Sequence, residues 1–368
     1  MKVRVLHTLP AEARTSSEVY AGELTAALQR LAPPDLQLGH YLPRDLARAA
    51  APPRLARLCG YVDHYAAYPW GAAREDADVH HIVEHGYAHA ALGLPAQRTV
   101  VTFHDAMLMK LAAREFPVDL RPRLSIFANR LNLAGIRRAA RVIAVSKSSR
   151  QDLLRFVDVD PARVVVIPEG VSAGFRPCPQ EDRLVPGTPI RVLHVGHCAF
   201  YKNVEAAIRV VAALSRRLEH PIELVKVGGA FSGPQRDLIS RLRLDDQVRE
   251  LGVVAAADLP RVYRSADMLL MPSLHEGFGF PVLEAMACGT PVVASNAGSL
   301  PEVVGDAGLM AGALDIDGLV EASVRVLTDD RLRQDLRRRG IERAASFTWE
   351  RTAAATLEVY RSVHQEAT

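Results

Sequence analysis

The sequence predicts an α/β protein made of two doubly wound domains. Three observations lead there. Short β-branched runs alternate along the chain with longer Ala-, Leu- and Arg-rich stretches that carry apolar residues at helical spacing. The rhythm breaks once, in 171–189, where Gly174, Pro177, Pro179, Pro186, Gly187 and Pro189 stand without an apolar period, and then restarts. The 368 residues give each half enough chain for its own core, at about 150 residues per domain.

In the first half, strands are expected at 3–6, 37–41, 80–83, 99–103, 141–145 and 164–167. Tyr20, Leu24, Leu28 and Leu31 recur at helical spacing behind Ser16 or Ser17, either able to cap the start. A second helix is expected over 146–156, with Ser146 as its N-cap. In the second half, strands are expected at 190–195, 223–227, 248–251, 268–271, 291–294 and 308–310. Helices fall at 204–218, 234–242, 259–265, 281–287, 300–304 and 316–327. A last helix runs from Trp349 to about 364, with Thr352, Leu357, Tyr360 and Val363 as its buried stripe. The expected domains are 1–172, joined by the final helix at about 349–368, a linker at 173–189, and 190–348. Short buried strands separated by helices mean parallel sheets covered on both faces. Ligands of such sheets bind beyond the carboxyl ends of the strands, and the cleft between two such domains is the expected site.

Composition excludes several classes. With 45 basic against 42 acidic residues, the net charge of +3 is too small for a dedicated nucleic-acid binder. No apolar run approaches the roughly 18 residues of a membrane helix, and the apolar part of the start is too short for a signal peptide. Cys59, Cys178, Cys198 and Cys288 are scattered, so neither a disulfide framework nor a zinc site is indicated and a reducing cytoplasm is the expected location. Forty arginines accompany only five lysines, Lys2, Lys110, Lys147, Lys202 and Lys226, which draws attention to each lysine.

The richest stretch is 272–295, PSLHEGFGFPVLEAMACGTPVVAS. It follows a strand and passes through Gly277 and Gly279 into a helix expected to open with Pro281, a residue tolerated where the N–H has no intrahelical partner. Backbone N–H groups at the positive end of that helix suit a phosphate. Glu276 and Glu284 bracket the loop. Glu284, placed in the first turn, is expected to stay ionised and to accept a diol. A second signal is LHVGHCAFYKN, 193–203. Lys202 stands just before the expected N-cap Asn203, where a cation is unfavourable for the helix and better suited to a bound anion. A third is VVTFHD, 100–105, a strand ending in His104 and Asp105. His80, His81, His85 and His89 cluster upstream of it.

EGFGFPVLEAMACGTPVVAS resembles the donor-site motif of the retaining glycosyltransferases of family 4. The likeness extends through Leu251–Val254, Leu259, Tyr263, Ala266–Asp267, Gly298, Pro301–Glu302 and Phe347–Trp349. The resemblance implies the GT-B architecture, with two Rossmann-like domains facing across a cleft. It implies a hexose-type sugar moved with retention from a UDP- or GDP-sugar to an acceptor hydroxyl, as in surface polysaccharide, glycolipid or secondary-metabolite glycosylation. The alternative is a non-transferring protein of the same fold, an epimerase or sugar-nucleotide binder. Residue by residue, Glu276 and the Gly277, Phe278, Gly279, Phe280 backbone would hold the sugar, with Glu284 on the ribose and Lys202 on the diphosphate. The base would stack near Val253. His104 would lie beside the sugar, oriented by Asp105 or leaving Asp105 to cap the next segment. His85 is a candidate for the acceptor pocket. Two departures stand out. His197 occupies the place of a frequent arginine, with Tyr201 where a second basic residue is common. The loop after the first strand carries Thr15, Ser16 and Ser17 where a glycine pair is usual.

No cofactor and no metal are expected. The D-x-D triplets 158–160 and 315–317 read as turn and cap chemistry. Leaving-group charge would instead meet Lys202 and the helix terminus after Gly279. The partners expected are the nucleotide-sugar donor and a sugar, lipid-linked or small-molecule acceptor. The basic stretch 107–156 marks a candidate peripheral contact with the inner face of a membrane.

Overall fold

The computed structural model describes residues 1–10, 15–31, 33–52, 54–116, 123–178 and 188–368, with the backbone alone for 15, 57 and 123–128. Residues 11–14 of the loop after the first strand, Arg121 of the basic stretch and 179–187 of the expected linker lie outside the described residues. The chain divides into two units, Met1–Gly170 with Thr348–Thr368, and Val171–Phe347.

The first unit holds six parallel strands, β1 (Lys2–Leu6), β2 (Gln37–Tyr41), β3 (Val79–Ile82), β4 (Thr99–Phe103), β5 (Arg141–Ala144) and β6 (Val164–Val166), in the order β2-β1-β3-β4-β5-β6. Every residue of β3 and β4 is buried, as expected where helices cover both faces. Its helices are α1 (Thr15–Leu31), α2 (Leu46–Ala50), α3 (Ala56–Val62), α4 (Tyr68–Ala72), α5 (Met107–Ala112), α6 (Arg123–Arg138) and α7 (Lys147–Phe156). Ser146 caps α7 by accepting from the Ser149 N–H.

The second unit repeats the plan with β7 (Ile190–Val195), β8 (Ile222–Val227), β9 (Val248–Gly252), β10 (Met268–Met271), β11 (Val292–Ser295) and β12 (Leu309–Ala311), in the order β12-β11-β10-β7-β8-β9. Its helices are α8 (Val204–Arg217), α9 (Gly233–Arg241), α10 (Leu259–Arg264), α11 (Phe280–Cys288), α12 (Leu300–Val304), α13 (Ile316–Thr328) and α14 (Asp330–Ala344). The core runs through Val192, Ile208, Val211, Leu224, Leu270, Val293, Leu319 and Val326, all fully buried.

The last helix, α15 (Trp349–Ala367), belongs to the first unit and packs on α1. Its buried stripe is Trp349, Thr352, Thr356, Leu357, Tyr360 and Val363. Tyr360 bonds His81 Nδ1 at 2.6 Å, His81 Nε2 bonds Thr102 at 2.7 Å, and Thr102 bonds Tyr20 at 3.0 Å. This buried chain ties α15 to β3, β4 and α1 with its polar atoms satisfied.

Two expectations change. Helix α11 begins at Phe280, so Pro281 is its second residue, and an N–H there still has no intrahelical partner. Helix α14 was not expected, because its sequence buries only Leu336, Gly340 and Ala344 and carries charge elsewhere. The basic stretch 107–156 is ion-paired in part. Lys110 pairs with Asp152 at 2.7 Å, Arg155 with Glu115 at 2.7 Å, and Arg141 with Glu366.

Candidate active site

Strands β7 and β10 are far apart in sequence yet adjacent in the sheet. The chain leaves β7 toward β8 on one side and returns to β10 on the other. The order reverses there, and loops at the carboxyl ends of two such strands leave room for a ligand. The loops are 196–203 and 272–279, which carry two of the three sequence motifs.

The reversal brings Lys202 and Glu276 together. Lys202 Nζ donates to Glu276 Oε1 at 2.8 Å and Oε2 at 3.0 Å, and Ser273 Oγ donates to Oε1 at 2.7 Å. Both side chains are largely buried, 12% and 9% exposed. Further bonds stitch the loops. The Leu274 N–H donates to the Tyr201 carbonyl at 2.7 Å. Asn203 holds the N-cap position of α8 at φ 50°, but its side chain does not cap. Its amide donates instead to the carbonyls of Pro272 (3.0 Å) and Ala313 (2.8 Å).

Two glycines are required here by geometry. Gly279 opens α11 at φ 103°, a region that L side chains rarely adopt. Gly298, at φ 59°, lies so close that a Cβ would stand 2.4 Å from the Glu276 carbonyl oxygen. Ser299 completes the support, its Oγ donating to the carbonyls of Glu276 (3.1 Å) and Phe278 (2.7 Å). Phe278 itself is buried against Phe280 and Phe347, so only its backbone is available to a ligand.

Glu284 corrects an expectation. It is the fifth residue of α11, past the first turn, and it accepts a 2.6 Å bond from the buried Tyr263 hydroxyl. Burial pushes its carboxyl up to about 7, against the opposing effect of that bond. It is therefore not firmly ionised near neutrality. His197 is exposed and bonds Tyr201 Oη through Nε2 at 3.0 Å. Val253 is 89% exposed beyond the edge strand β9, away from the Lys202–Glu276 pair.

Sequence reasoning missed Lys226. This side chain is 1% exposed, and its Nζ donates to the carbonyls of Gly196 (2.5 Å), Val227 (2.9 Å) and Gly229 (3.3 Å). It locks the loops after β7 and β8 together. The available signal was a lysine inside an otherwise apolar strand of a lysine-poor chain. Lys226→Met should leave these carbonyls short of donors and cost at least about 2 kcal/mol of stability, measured by urea unfolding.

In the first unit, the carboxyl ends of β3 and β4 carry Glu84, His85 and His104. His104 Nε2 donates to the Val83 carbonyl at 2.8 Å, and Nδ1 lies 3.2 Å from Glu169 Oε1. The ring lies between a carbonyl acceptor and a carboxylate, an arrangement that favours the imidazolium. Burial alone would lower its pKa, but the bond to Glu169 and the charges of Glu84 and Glu169 outweigh this and raise it to about 9. Glu84 accepts from His85 Nδ1 at 2.9 Å and from Ser17 Oγ at 2.5 Å. Its carboxyl is held well below the usual range, since the histidines and Ser17 overcome the burial cost.

Ser17, and not the exposed Ser16, is the hydroxyl that reaches this cluster; the side chain of Thr15 lies outside the described residues. Asp105 does not orient His104 but accepts from the Met107 N–H at 2.8 Å. Glu169 does the orienting, and was missed because Pro168-Glu169-Gly170 reads as plain turn punctuation.

A folded pKa above the unfolded value of about 6.5 stabilises fully below that value and is lost as pH rises through about 9. The stability of the chain should therefore fall between pH 7 and 9.5. The fall is at most about 3 kcal/mol, the bound set by the difference between about 9 and about 6.5 at about 1.4 kcal/mol per pH unit. Urea unfolding at both pH values checks this, and His104→Gln should flatten the slope.

Asp160 accepts from the Ala162 N–H and Asp315 from the Gly318 N–H, both at 2.9 Å, as turn and cap chemistry requires. Among the described residues no group of three or more His, Cys, Asp or Glu side chains is placed to hold a metal ion.

Comparison with known proteins identifies the family. The family model described as Glycosyl transferases group 1 matches residues 180–343, and that described as Glycosyltransferase Family 4 matches 17–175. D-inositol 3-phosphate glycosyltransferase of Kineococcus radiotolerans is 37% identical over 62% of this chain and 58% of its own length. O-antigen chain mannosyltransferase B of Escherichia coli is 31% identical over 72% of this chain and 70% of its own. The chain thus spans less than two thirds of the first of these relatives. The crystal structure of Anabaena HepE in complex with UDP-glucose superposes with a TM-score of 0.74 at 19% identity, covering 98% of this chain and 100% of that one. The chain belongs to the family-4 glycosyltransferases and has their GT-B fold.

Proposed function

We propose that the chain is a retaining hexosyltransferase that moves a sugar from a UDP- or GDP-sugar to an acceptor hydroxyl. The observation that carries this reading is the Lys202–Glu276 pair at the strand-order reversal of the second unit. A cation for a diphosphate stands there beside a carboxylate for sugar hydroxyls. The names of the two relatives, and the UDP-glucose held by HepE, support a hexose donor of this class.

In this scheme the donor diphosphate takes one of the Lys202 hydrogen bonds, and Glu276, still held by Ser273, turns its free oxygen to the sugar. The bond between the anomeric carbon and the phosphate oxygen breaks. The acceptor oxygen bonds that carbon on the same face, and its proton passes to the departing phosphate oxygen. Lys202 and the positive end of α11 meet the charge that develops on the leaving group. No metal takes part in these steps.

Glu284 and Tyr263 take the ribose diol. Hydroxyl donors favour the carboxylate form, so donor binding lowers a pKa that stands at about 7 in the free protein. Affinity for UDP-glucose or GDP-mannose should therefore rise about three- to tenfold from pH 6 to pH 8 in titration calorimetry, and Glu284→Gln should remove the dependence. The activity is tested by incubating the protein with UDP- and GDP-hexoses and candidate acceptors, with the anomeric configuration of the product read by NMR. Donor turned over to its epimer, or bound and not transferred, contradicts the reading.

A further inference from the structure

Helices α3 and α4 join through a helical stretch, Asp63–Ala67, into one rod over residues 56–72. Its inner face is fixed in the first unit, with Tyr68 fully buried and His64 stacked near Tyr87 and His89. Its outer face is also apolar. Leu55, Leu58, Val62 and Trp70 follow helical spacing on the solvent side, and Leu42 and Leu46 add to them from α2 and the turn before it; α2 packs on α3. These six large side chains are 44–68% exposed. A single exposed leucine is ordinary, but a continuous stripe of this size marks a contact surface.

The charges around the stripe say what it contacts. Arg44, Arg54 and Arg74 are exposed beside it, and the Arg74 guanidinium stacks 3.1 Å over the Trp70 ring. Of the acids nearby, Asp63 is buried and spent on the α2 N–H groups of Ala47 (2.9 Å) and Arg48 (2.8 Å), Asp45 is half-buried at the start of α2, and Glu75 and Asp76 pair with Arg4 (2.8 Å) and Lys2 (3.0 Å). Apolar residues between arginines, with a tryptophan at the rim, fit a bilayer interface carrying anionic headgroups. A second copy of the chain would set arginine against arginine. We infer that the Leu42–Trp70 face docks the protein on an anionic lipid surface. This rests on the surface alone and not on the proposed reaction.

The test is co-flotation with vesicles of phosphatidylcholine alone or with 30% phosphatidylglycerol, comparing wild type with Leu58→Glu/Trp70→Glu. The two substituted positions are exposed, so the variant should keep the wild-type unfolding midpoint. The expected result is flotation with anionic but not neutral vesicles, lost at least tenfold in the variant, with a blue shift of tryptophan emission in the wild type only; the second tryptophan, Trp349, is buried. Wild type left in solution, or flotation that the variant retains, overturns the inference. So does a wild-type dimer in light scattering that the variant reduces to monomer without any vesicle binding.

Discussion

Glu276→Gln should lower transfer by about a thousandfold or more while leaving nucleoside diphosphate affinity within a few-fold of wild type, because a group that acts on the reacting sugar shows its loss in the transition state. The amide keeps the shape and can still accept from Ser273, but it loses the charge that balances Lys202. Glu276→Ala should have the same effect on transfer with a larger loss of stability, since it strands a buried ammonium, a change that costs about 3–5 kcal/mol in comparable pairs. Single-turnover rates and titration with UDP or GDP separate chemistry from binding. Near-normal transfer by the glutamine variant would remove Glu276 from the reaction.

Lys202→Met should lower both binding and transfer. Its ammonium meets the diphosphate in the bound state and the leaving group as charge develops there, so nucleoside diphosphate affinity should fall by about tenfold or more and transfer further still. The variant keeps the length of the side chain and its packing but leaves Glu276 without its cation. An equal, small loss in both affinity and rate would mean that Lys202 serves only the Glu276 loop. The two variants together form a cycle. If the pair acts as a unit, the double variant should transfer no more slowly than the worse single one.

The strands were legible because most are short apolar or β-branched runs, and their ends fall within about one residue of those observed. The helices over 46–72 were not, since a rod apolar on both faces shows no clean period. Lys202, Glu276 and His104 could each be read from a motif. That Lys202 pairs with Glu276 could not, because the pairing depends on β10 returning to lie beside β7. The raised pKa of Glu284 comes from its burial, against which the bond from Tyr263 of a different helix works, and no spacing along the chain reports either. Glu169 and Glu84 follow the same strand-end rule that picked out His104. They were passed over because a carboxylate beside glycine or histidine has so many ordinary uses.

The most direct test of the donor site is thermal unfolding of the wild type and Lys202→Met with UDP, GDP and their hexose conjugates. A ligand at about 100 times its Kd stabilises the folded state by about 2.7 kcal/mol. The account predicts that either the uridine or the guanosine series raises the wild-type midpoint by several degrees, and that the same ligand at the same concentration does much less for Lys202→Met. No shift with any nucleoside diphosphate or its sugar, or an equal shift in both proteins, would contradict a donor site built on Lys202 and Glu276.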